Sequence, residues 1–463
     1  MPYQTINPYD NHLLATFPEL SDEELEDLVA RAARAFAAWR ATSIGERSAV
    51  GKRAAAILRN RADEYARLLT LEMGKLYKES LEEVELSASI IDYYAENAES
   101  FLAPERVVPI DPSEGAPVVV SEPLGVLLAV EPWNFPYYQL ARVSGPQLMA
   151  GNVLMVKHSP NVPQCAAAFE TLYREAGAPD GAYTNIYATN DQIGRLIDDP
   201  RIAAVAFTGS PRTGSILASR AGKNLKKSTM ELGSNDAMIV LADADLDRAV
   251  QWALWGRMNN GGQCCIAVKR FIVVDEIADR FFERLKAAFA QLNPGDPFDP
   301  ETTLPPMSTQ EAADQLEDQI KAAVDGGATA TPLGPPPPET GAFVQPTMLT
   351  EVTSDNPMYH EEFFGPVAMC FRARSEEEAV RLANDSPYGL GGCVFTQDTE
   401  RGFELARRLD TGMVFVNHPT WTKADLPFGG VKQSGWGREL GRAGMDEFVN
   451  KKLINVVPID APA

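Results

Sequence analysis

A chain of 463 residues exceeds what a peptide hormone or a single binding module needs, and at roughly 150 residues per domain it implies two or three domains. Its 42 Lys and Arg against 64 Asp and Glu leave a net charge of −22, a field that repels phosphate backbones and anionic membranes, so no nucleic-acid partner is expected. Hydrophobic residues at 45% and charged residues at 23% exclude a disordered chain. The longest apolar runs, such as Val126–Val130 and Ala203–Phe207, fall far below the ~20 residues of a membrane span, so no membrane partner is expected. Met1-Pro-Tyr-Gln lacks the basic and apolar regions of an export signal, and a cytoplasmic address follows as an expectation. Cys165, Cys264, Cys265, Cys370 and Cys393 are odd in number and lack metal-ligand spacing, which predicts reduced thiols and no metal site.

Ser21-Asp-Glu-Glu24 is a capping box, followed by Leu28, Ala32, Ala35, Phe36 and Trp39 at helical spacing. A second helical pattern runs through Ala54, Ile57, Leu58, Tyr65 and Leu68, and a third through Val84, Leu86, Ile90, Ile91 and Tyr94. From Leu124 the texture changes. Gly125–Val130, Val153–Val156, Asn185–Tyr187, Ala203–Phe207 and Ala237–Leu241 read as buried strands, with helical patterns near Tyr138–Ala150, Pro163–Ala176, Gln192–Ile197 and Thr213–Ala221 between them. This alternation predicts an α/β fold with a doubly wound parallel sheet. It returns with strands near Phe271–Val274, Val367–Phe371, Gly392–Phe395 and Met413–Val416 and helices near Ile277–Gln291, Glu376–Ala383 and Arg401–Leu409, suggesting a second α/β domain. Thr331-Pro-Leu-Gly-Pro-Pro-Pro-Pro338 cannot be regular helix or central strand and reads as a surface loop or an interdomain linker.

Four segments bear chemistry-capable side chains. In Asn260-Gly-Gly-Gln-Cys-Cys-Ile-Ala267, glycines let a ligand approach beside a thiol that could act as a nucleophile, though two buried small residues at a helix end fit equally. Met230-Glu-Leu-Gly-Ser-Asn235 sets a carboxylate before a glycine turn, where Glu231 is either functional or a solvated charge. Glu131-Pro-Trp-Asn-Phe-Pro136 is a rigid turn in which Asn134 could serve only the backbone. Phe207-Thr-Gly-Ser-Pro-Arg-Thr-Gly214 is a strand, a turn and a helix start that fits neither the dinucleotide fingerprint nor a Walker loop.

Together and in order, these blocks resemble the aldehyde dehydrogenase superfamily over nearly the whole chain. Pro132-Trp-Asn-Phe-Pro136, Lys157 with Pro163, Phe207-Thr-Gly-Ser210, Glu231-Leu-Gly, Gly262-Gln-Cys-Cys265, Glu362-Phe-Phe-Gly-Pro366 and Pro427-Phe-Gly-Gly430 with Ser434-Gly435 carry the resemblance. It implies that Cys265 is the nucleophile, Glu231 the general base and Asn134 an oxyanion donor. Cys264 is left as a neighbour that packs reduced or closes a vicinal disulfide. Lys157 would bind the adenosine ribose, Gly209 and Ser210 the pyrophosphate at a helix start, and Glu362 the nicotinamide ribose, with Trp133 and Phe364 flanking the cofactor or site. Relatives that prefer NAD often carry Glu three residues after the lysine; here Pro160 stands there. His158 and Ser159 could then meet a 2′-phosphate, which favours NADP and leaves NAD open.

Arg142 lies eight residues after Asn134, where the succinate-semialdehyde dehydrogenases of this superfamily carry an arginine for the distal carboxylate; a structural ion pair is the other reading. Asn417-His-Pro-Thr-Trp-Thr-Lys-Ala-Asp-Leu-Pro-Phe-Gly-Gly430 looks like the substrate loop of bacterial members, with Thr422 a hydroxyl for that carboxylate. Asn259 stands where some carry a second arginine, for which Arg257 could substitute. The resemblance thus implies a small-molecule aldehyde substrate. An acylating dehydrogenase is disfavoured by Glu231, and a Cys–His hydrolase by histidines outside the nucleophile and base motifs. A catalytically silent protein on this fold is the reading from another class.

The fold implied is a modified Rossmann cofactor domain at residues 1–106 and 124–233, a catalytic domain at 234–446 and a β oligomerisation element at 107–123 and 447–458. A homodimer or homotetramer is expected, since an exposed edge strand near the C-terminus needs a partner.

Overall fold

The structure, a computed structural model, describes residues 3–111 and 115–459. Met1 and Pro2 of the amino-terminal reading, residues 112–114 of the expected oligomerisation element and the last four residues lie outside that range.

The chain opens with an antiparallel hairpin, Tyr3–Asn7 and His12–Phe17, which the helical reading of the first hundred residues did not include. The Ser21–Glu24 box closes as expected at the start of Asp22–Trp39, and a second box, Ser43 with Glu46, starts Ile44–Asn60. The second helical pattern is two helices, because Arg61 (φ −120°, ψ 29°) breaks it before Ala62–Met73. Tyr77–Phe101 completes the group.

A six-stranded sheet follows. Its order is Gly435–Trp436, Lys227–Glu231, Ile202–Thr208, Val126–Glu131, Val153–His158, Tyr183–Asn185, and it is parallel except for Gly435–Trp436. Its central strands are buried on both faces, the reason they read as continuous apolar runs without alternation. Helix Pro136–Ala150 is buried along its whole length, including Pro146, so its pattern lacked a polar face.

The second sheet has seven strands in the order Thr329–Pro332, Thr347–Thr350, Val367–Ala373, Arg270–Val274, Ala237–Val240, Gly392–Phe395, Phe415–Val416. Thr329–Pro332 pairs antiparallel at its edge, where a proline is tolerated. Helices Leu246–Met258 and Gln310–Asp325 were not predicted. A third sheet pairs Val449–Val456 with Ala116–Pro123, which pairs in turn with Glu105–Arg106, all antiparallel. Among the described residues no helix is long and apolar enough to cross a membrane.

Candidate active site

Parallel strands present their carboxyl ends, and the helix N-termini that follow them, to one edge of a sheet, where ligands bind. At that edge of the six-stranded sheet, Val126–Glu131 leads to Trp133 and Asn134, Val153–His158 ends on Lys157 and His158, Ile202–Thr208 leads to Gly209 and Ser210, and Lys227–Glu231 ends on the carboxylate itself. Four segments separated by up to about a hundred residues therefore share one rim.

The thiol arrives from the other sheet. Helix Leu246–Met258 gives way to a tight turn, Asn259–Gly262, in which Asn260 (φ 56°), Gly261 (φ 62°) and Gly262 (φ 80°) are left-handed. A Cβ on Gly262 would lie 2.5 Å from the Gly365 carbonyl oxygen, so both its conformation and its space require glycine. The turn presents Cys264, buried, and Cys265, partly exposed, to a cavity of about 420 Å³.

Asn134 is buried at the same place. Its Nδ2 donates to the Gln263 carbonyl at 3.2 Å, and its own carbonyl accepts from Asn260 Nδ2 at 2.7 Å, tying the Pro-Trp-Asn turn to the turn that presents Cys265. The thiol–thiol hydrogen bond with Cys264, then burial, then the Glu231 charge push the Cys265 thiol up. A base is therefore needed to make it a thiolate. Glu231 is buried, and burial pushes its carboxyl up to about 7, against the pull of Arg142. One of its oxygens has no hydrogen-bond partner. A buried acid poised near neutrality beside a thiol has the properties of a general base.

Ser434 and Gly435 secure this acid. Ser434 Oγ donates to the Gly233 carbonyl at 2.6 Å, Leu232 N–H donates to the Ser434 carbonyl at 3.1 Å, and Gly435 pairs with Glu231 across the strand edge.

Arg142 is placed differently from expectation. It is 1% exposed and does not line the cavity. Its guanidinium pairs with Glu439 and, at 3.4 Å, with Glu231, and donates to Thr208 Oγ1 at 2.9 Å. It reaches the cavity wall through Tyr138, whose hydroxyl accepts from Nη1 at 3.3 Å and lies 2.9 Å from Thr422 Oγ1. Direct contact with a substrate carboxylate is not what this packing gives. Arg142 is instead the cation among three buried carboxylates, and burial raises Glu131 and Glu439 as it does Glu231.

Arg257 also departs from expectation. It is fully buried beneath the turn that presents Cys265, donating to the Gly262 and Val367 carbonyls, with burial lowering it to about 10. Thr422 does line the cavity, with Phe135, Tyr138, Trp255, Trp421 and Phe428 giving an aromatic wall. Glu83, also on that wall, is taken up by Lys75 and by the Tyr137 and Tyr138 N–H groups at 2.8 and 3.1 Å. Burial pushes nearby Glu79 up to about 7.

Among the expected cofactor residues, Trp133 and Phe364 meet edge to face at 5.7 Å. Phe364 stays partly exposed while its neighbour Phe363 is the core residue. Lys157 is nearly buried, its ammonium 5.7 Å from the Tyr3 ring centroid, and burial lowers it to about 8. Ser210 caps helix Pro211–Lys223, accepting from Thr213 N–H at 3.3 Å. Glu362 Oε1 is buried, 3.0 Å from the buried Lys269 ammonium, and accepts no hydrogen bond. A Cβ on Gly233 would lie 2.8 Å from Glu362 Oε2, so the glycine of Glu-Leu-Gly borders the Glu362 carboxylate closely.

His158 does not fit a phosphate contact. It is 1% exposed, its ring nitrogens lie 3.1 Å from the Glu131 and Pro136 carbonyls, and burial lowers it to about 4, leaving it neutral. Ser159 is partly exposed, donating to Asn161 Oδ1 at 2.7 Å, and Pro160 itself contributes no carboxylate beside Lys157. Among the described residues no group of His, Cys, Asp and Glu side chains could hold a metal ion.

The aldehyde dehydrogenase family model matches residues 1–454. The chain belongs to the aldehyde dehydrogenase family. A succinate-semialdehyde dehydrogenase [NADP(+)] of Deinococcus radiodurans is 50% identical over 99% of this chain and 95% of its own length. Succinate-semialdehyde dehydrogenase [NADP(+)] 1 of Mycobacterium tuberculosis is 41% identical over 98% of this chain and 99% of its own. The crystal structure of the succinic semialdehyde dehydrogenase of Streptococcus pyogenes with NADP+ superposes with a TM-score of 0.96 at 44% identity, over 98% of this chain and 100% of that one. The aldehyde dehydrogenase fold is thus shared throughout.

Sequence reasoning missed Glu439 and the aromatic wall. Glu439 follows the Ser434-Gly435 block closely enough to have been suspected; the tryptophans carry no signal in spacing, because their place on the wall arises from packing.

Proposed function

We propose that the protein oxidises succinate semialdehyde to succinate with NADP+. The observation that carries this is Glu231: a buried carboxylate with one free oxygen, whose charge acts on the Cys265 thiol, while Asn134 is hydrogen-bonded to the Gln263 carbonyl two residues before that thiol. Glu231 takes the thiol proton as Cys265 Sγ bonds to the aldehyde carbon, and Asn134 Nδ2, turned from the Gln263 carbonyl, donates to the oxyanion. NADP+, held by the residues named below, would supply the two-electron acceptor, taking a hydride from the carbon and leaving a Cys265 thioester. Glu231 would release its first proton to solvent and then take one from a water that adds to the thioester carbonyl; the S–C bond would break, the thiolate would take that proton back as thiol, and the acid would depart. The sum is aldehyde, water and NADP+ to acid, NADPH and a proton.

Lys157, Gly209, Ser210, Trp133, Phe364 and Glu362 would hold the cofactor. The absence of a carboxylate at Pro160 removes a charge that would oppose a 2′-phosphate, and the relatives above are named for NADP(+). For the substrate, Thr422 Oγ1 and Tyr138 OH offer hydroxyls to the distal carboxylate, with the Arg142 charge behind them. The wall acids oppose an anion less than their number suggests, since Glu83 is paired and Glu79 is half-neutral near pH 7.

The same reading assigns 1–106 and 124–233 to cofactor binding, 234–446 to catalysis, and 107–123 with 447–458 to assembly of a cytoplasmic homodimer or homotetramer. Strand Val449–Val456 supports the last point, with Leu453 at 62% and Val456 at 68% exposure. Absorbance at 340 nm across an aldehyde panel with each cofactor tests the function. Succinate semialdehyde with NADP+ should give a kcat/KM at least about tenfold above butanal or NAD+, near 1.4 kcal/mol of discrimination. Equal values, or no signal with any aldehyde, would overturn it.

A further inference from the structure

Lys269 lies four residues after Cys265, immediately before strand Arg270–Val274, and is fully buried. Its ammonium has three N–H donors but four oxygens within reach. Ser234 Oγ lies at 2.9 Å, the Cys264 carbonyl at 3.0 Å, the Cys265 carbonyl at 2.5 Å and Glu362 Oε1 at 3.0 Å. Ser234 Oγ in turn donates to the Cys265 carbonyl. The first three acceptors satisfy the ammonium, and Glu362 Oε1, though near the charge, remains without a hydrogen bond.

We propose that Lys269 is a positioning residue that fixes the backbone of the nucleophile turn and, with the same charge, balances Glu362 while leaving its acceptor capacity for the nicotinamide ribose hydroxyls. A carboxylate this close to burial needs a cation. A neutral donor in place of the cation would consume the lone pairs that a ribose must meet. The ammonium does neither harm, because its protons are already committed to Ser234 and the two cysteine carbonyls. Cofactor site and nucleophile turn therefore share one charge at their boundary. This rests on the reading of Glu362 as a cofactor ligand.

A double-mutant cycle on NADP+ affinity, read by quenching of tryptophan fluorescence in the full-length protein without aldehyde, tests it. Glu362→Gln and Lys269→Met should each raise Kd about tenfold. The double variant should be weakened hardly beyond either alone, because Lys269 acts on the ribose through Glu362. A hundredfold loss in the double variant means independent effects and overturns the proposal. An unchanged Kd in Glu362→Gln overturns the cofactor reading on which it stands, a distinguishable failure. If Lys269→Met is not recovered folded, Lys269→Gln carries the same comparison. The second arm is alkylation of Cys265 by iodoacetamide in the cofactor-free protein: loss of Lys269 should change its rate at least threefold, as two carbonyls of the turn lose their donor. An unchanged rate would remove the nucleophile half of the proposal.

Discussion

Two regions flank Cys265, built on opposite principles. On the cavity side, Phe135, Tyr138, Trp255, Trp421 and Phe428 form an aromatic wall, with Thr422 among the polar groups that share the lining. Behind the wall, Arg142 sits among Glu131, Glu231 and Glu439, every one of them buried or nearly so. The wall can choose an aldehyde by shape and by a hydroxyl, and each such contact contributes about 1 kcal/mol. The charge cluster contributes nothing to shape, but it holds Glu231 near 7, where it can take and release protons. On the proposed mechanism, selectivity and reactivity belong to different residues, and changes on one side should leave the other's signature intact.

Glu231→Gln strikes the reactive side and carries the largest expected effect. Loss of the base should lower kcat about 10²- to 10⁴-fold for every aldehyde alike. It should also change stability, with a definite sign. The native carboxyl, raised to about 7 mainly by burial, binds a proton that the unfolded chain releases near its ordinary value. That favourable contribution is complete below about pH 4.5 and is lost as pH rises through 7, because the native state must then bury a charge. The glutamine variant should therefore melt higher than the parent at pH 8, by roughly 3 kcal/mol of stabilisation, the pull of Arg142 being already contained in the value of about 7, and the advantage should shrink to under about 1 kcal/mol at pH 5. Thermal melts at the two pH values decide it; an advantage that grows toward low pH would contradict the burial argument.

Arg142→Met tests the boundary between the regions. Removing the cation leaves three carboxylates facing one another, at a cost of about 3–5 kcal/mol. Because Arg142 pulls the Glu231 value down, its loss should move the acid limb of the kcat profile to higher pH, equally for succinate semialdehyde and butanal. A rise in KM confined to succinate semialdehyde, with the limb unmoved, would instead put the guanidinium on the substrate.

This boundary is also where the sequence stops being legible. The strand and helix alternation was readable because buried parallel strands are apolar along their length, and observed edges such as Gly392–Phe395 match the expected ones. Cys265, Glu231 and Asn134 were found by resemblance of short blocks, whose order the sheet edge explains. The placement of Arg142 was not readable. A spacing of eight from Asn134 puts it on the right helix, but only the packing of Glu439, brought in from three hundred residues away, turns the guanidinium from the cavity into the cluster. His158 failed likewise: next to Lys157 on a strand, its side chain points to the opposite face, into the core. Helix Leu246–Met258 was missed because it carries tryptophans and an arginine where a simple stripe would have shown a polar face.

The smallest predicted effect belongs to the wall. Thr422→Val keeps the volume and removes the hydroxyl that meets Tyr138 at 2.9 Å, leaving that phenol held by Arg142 alone. If the distal carboxylate of the substrate is received by this pair of hydroxyls, one hydrogen bond to a charged group is lost, about 1.5 kcal/mol or more. KM for succinate semialdehyde should rise about tenfold or more, while KM for butanal and the pH profile of kcat stay put. A shift in the pH profile with unchanged KM would mean that the wall and the cluster are one unit, because Tyr138 would then be transmitting the loss to Arg142 and so to Glu231. Steady-state kinetics with the two aldehydes between pH 6 and 9 separate these outcomes.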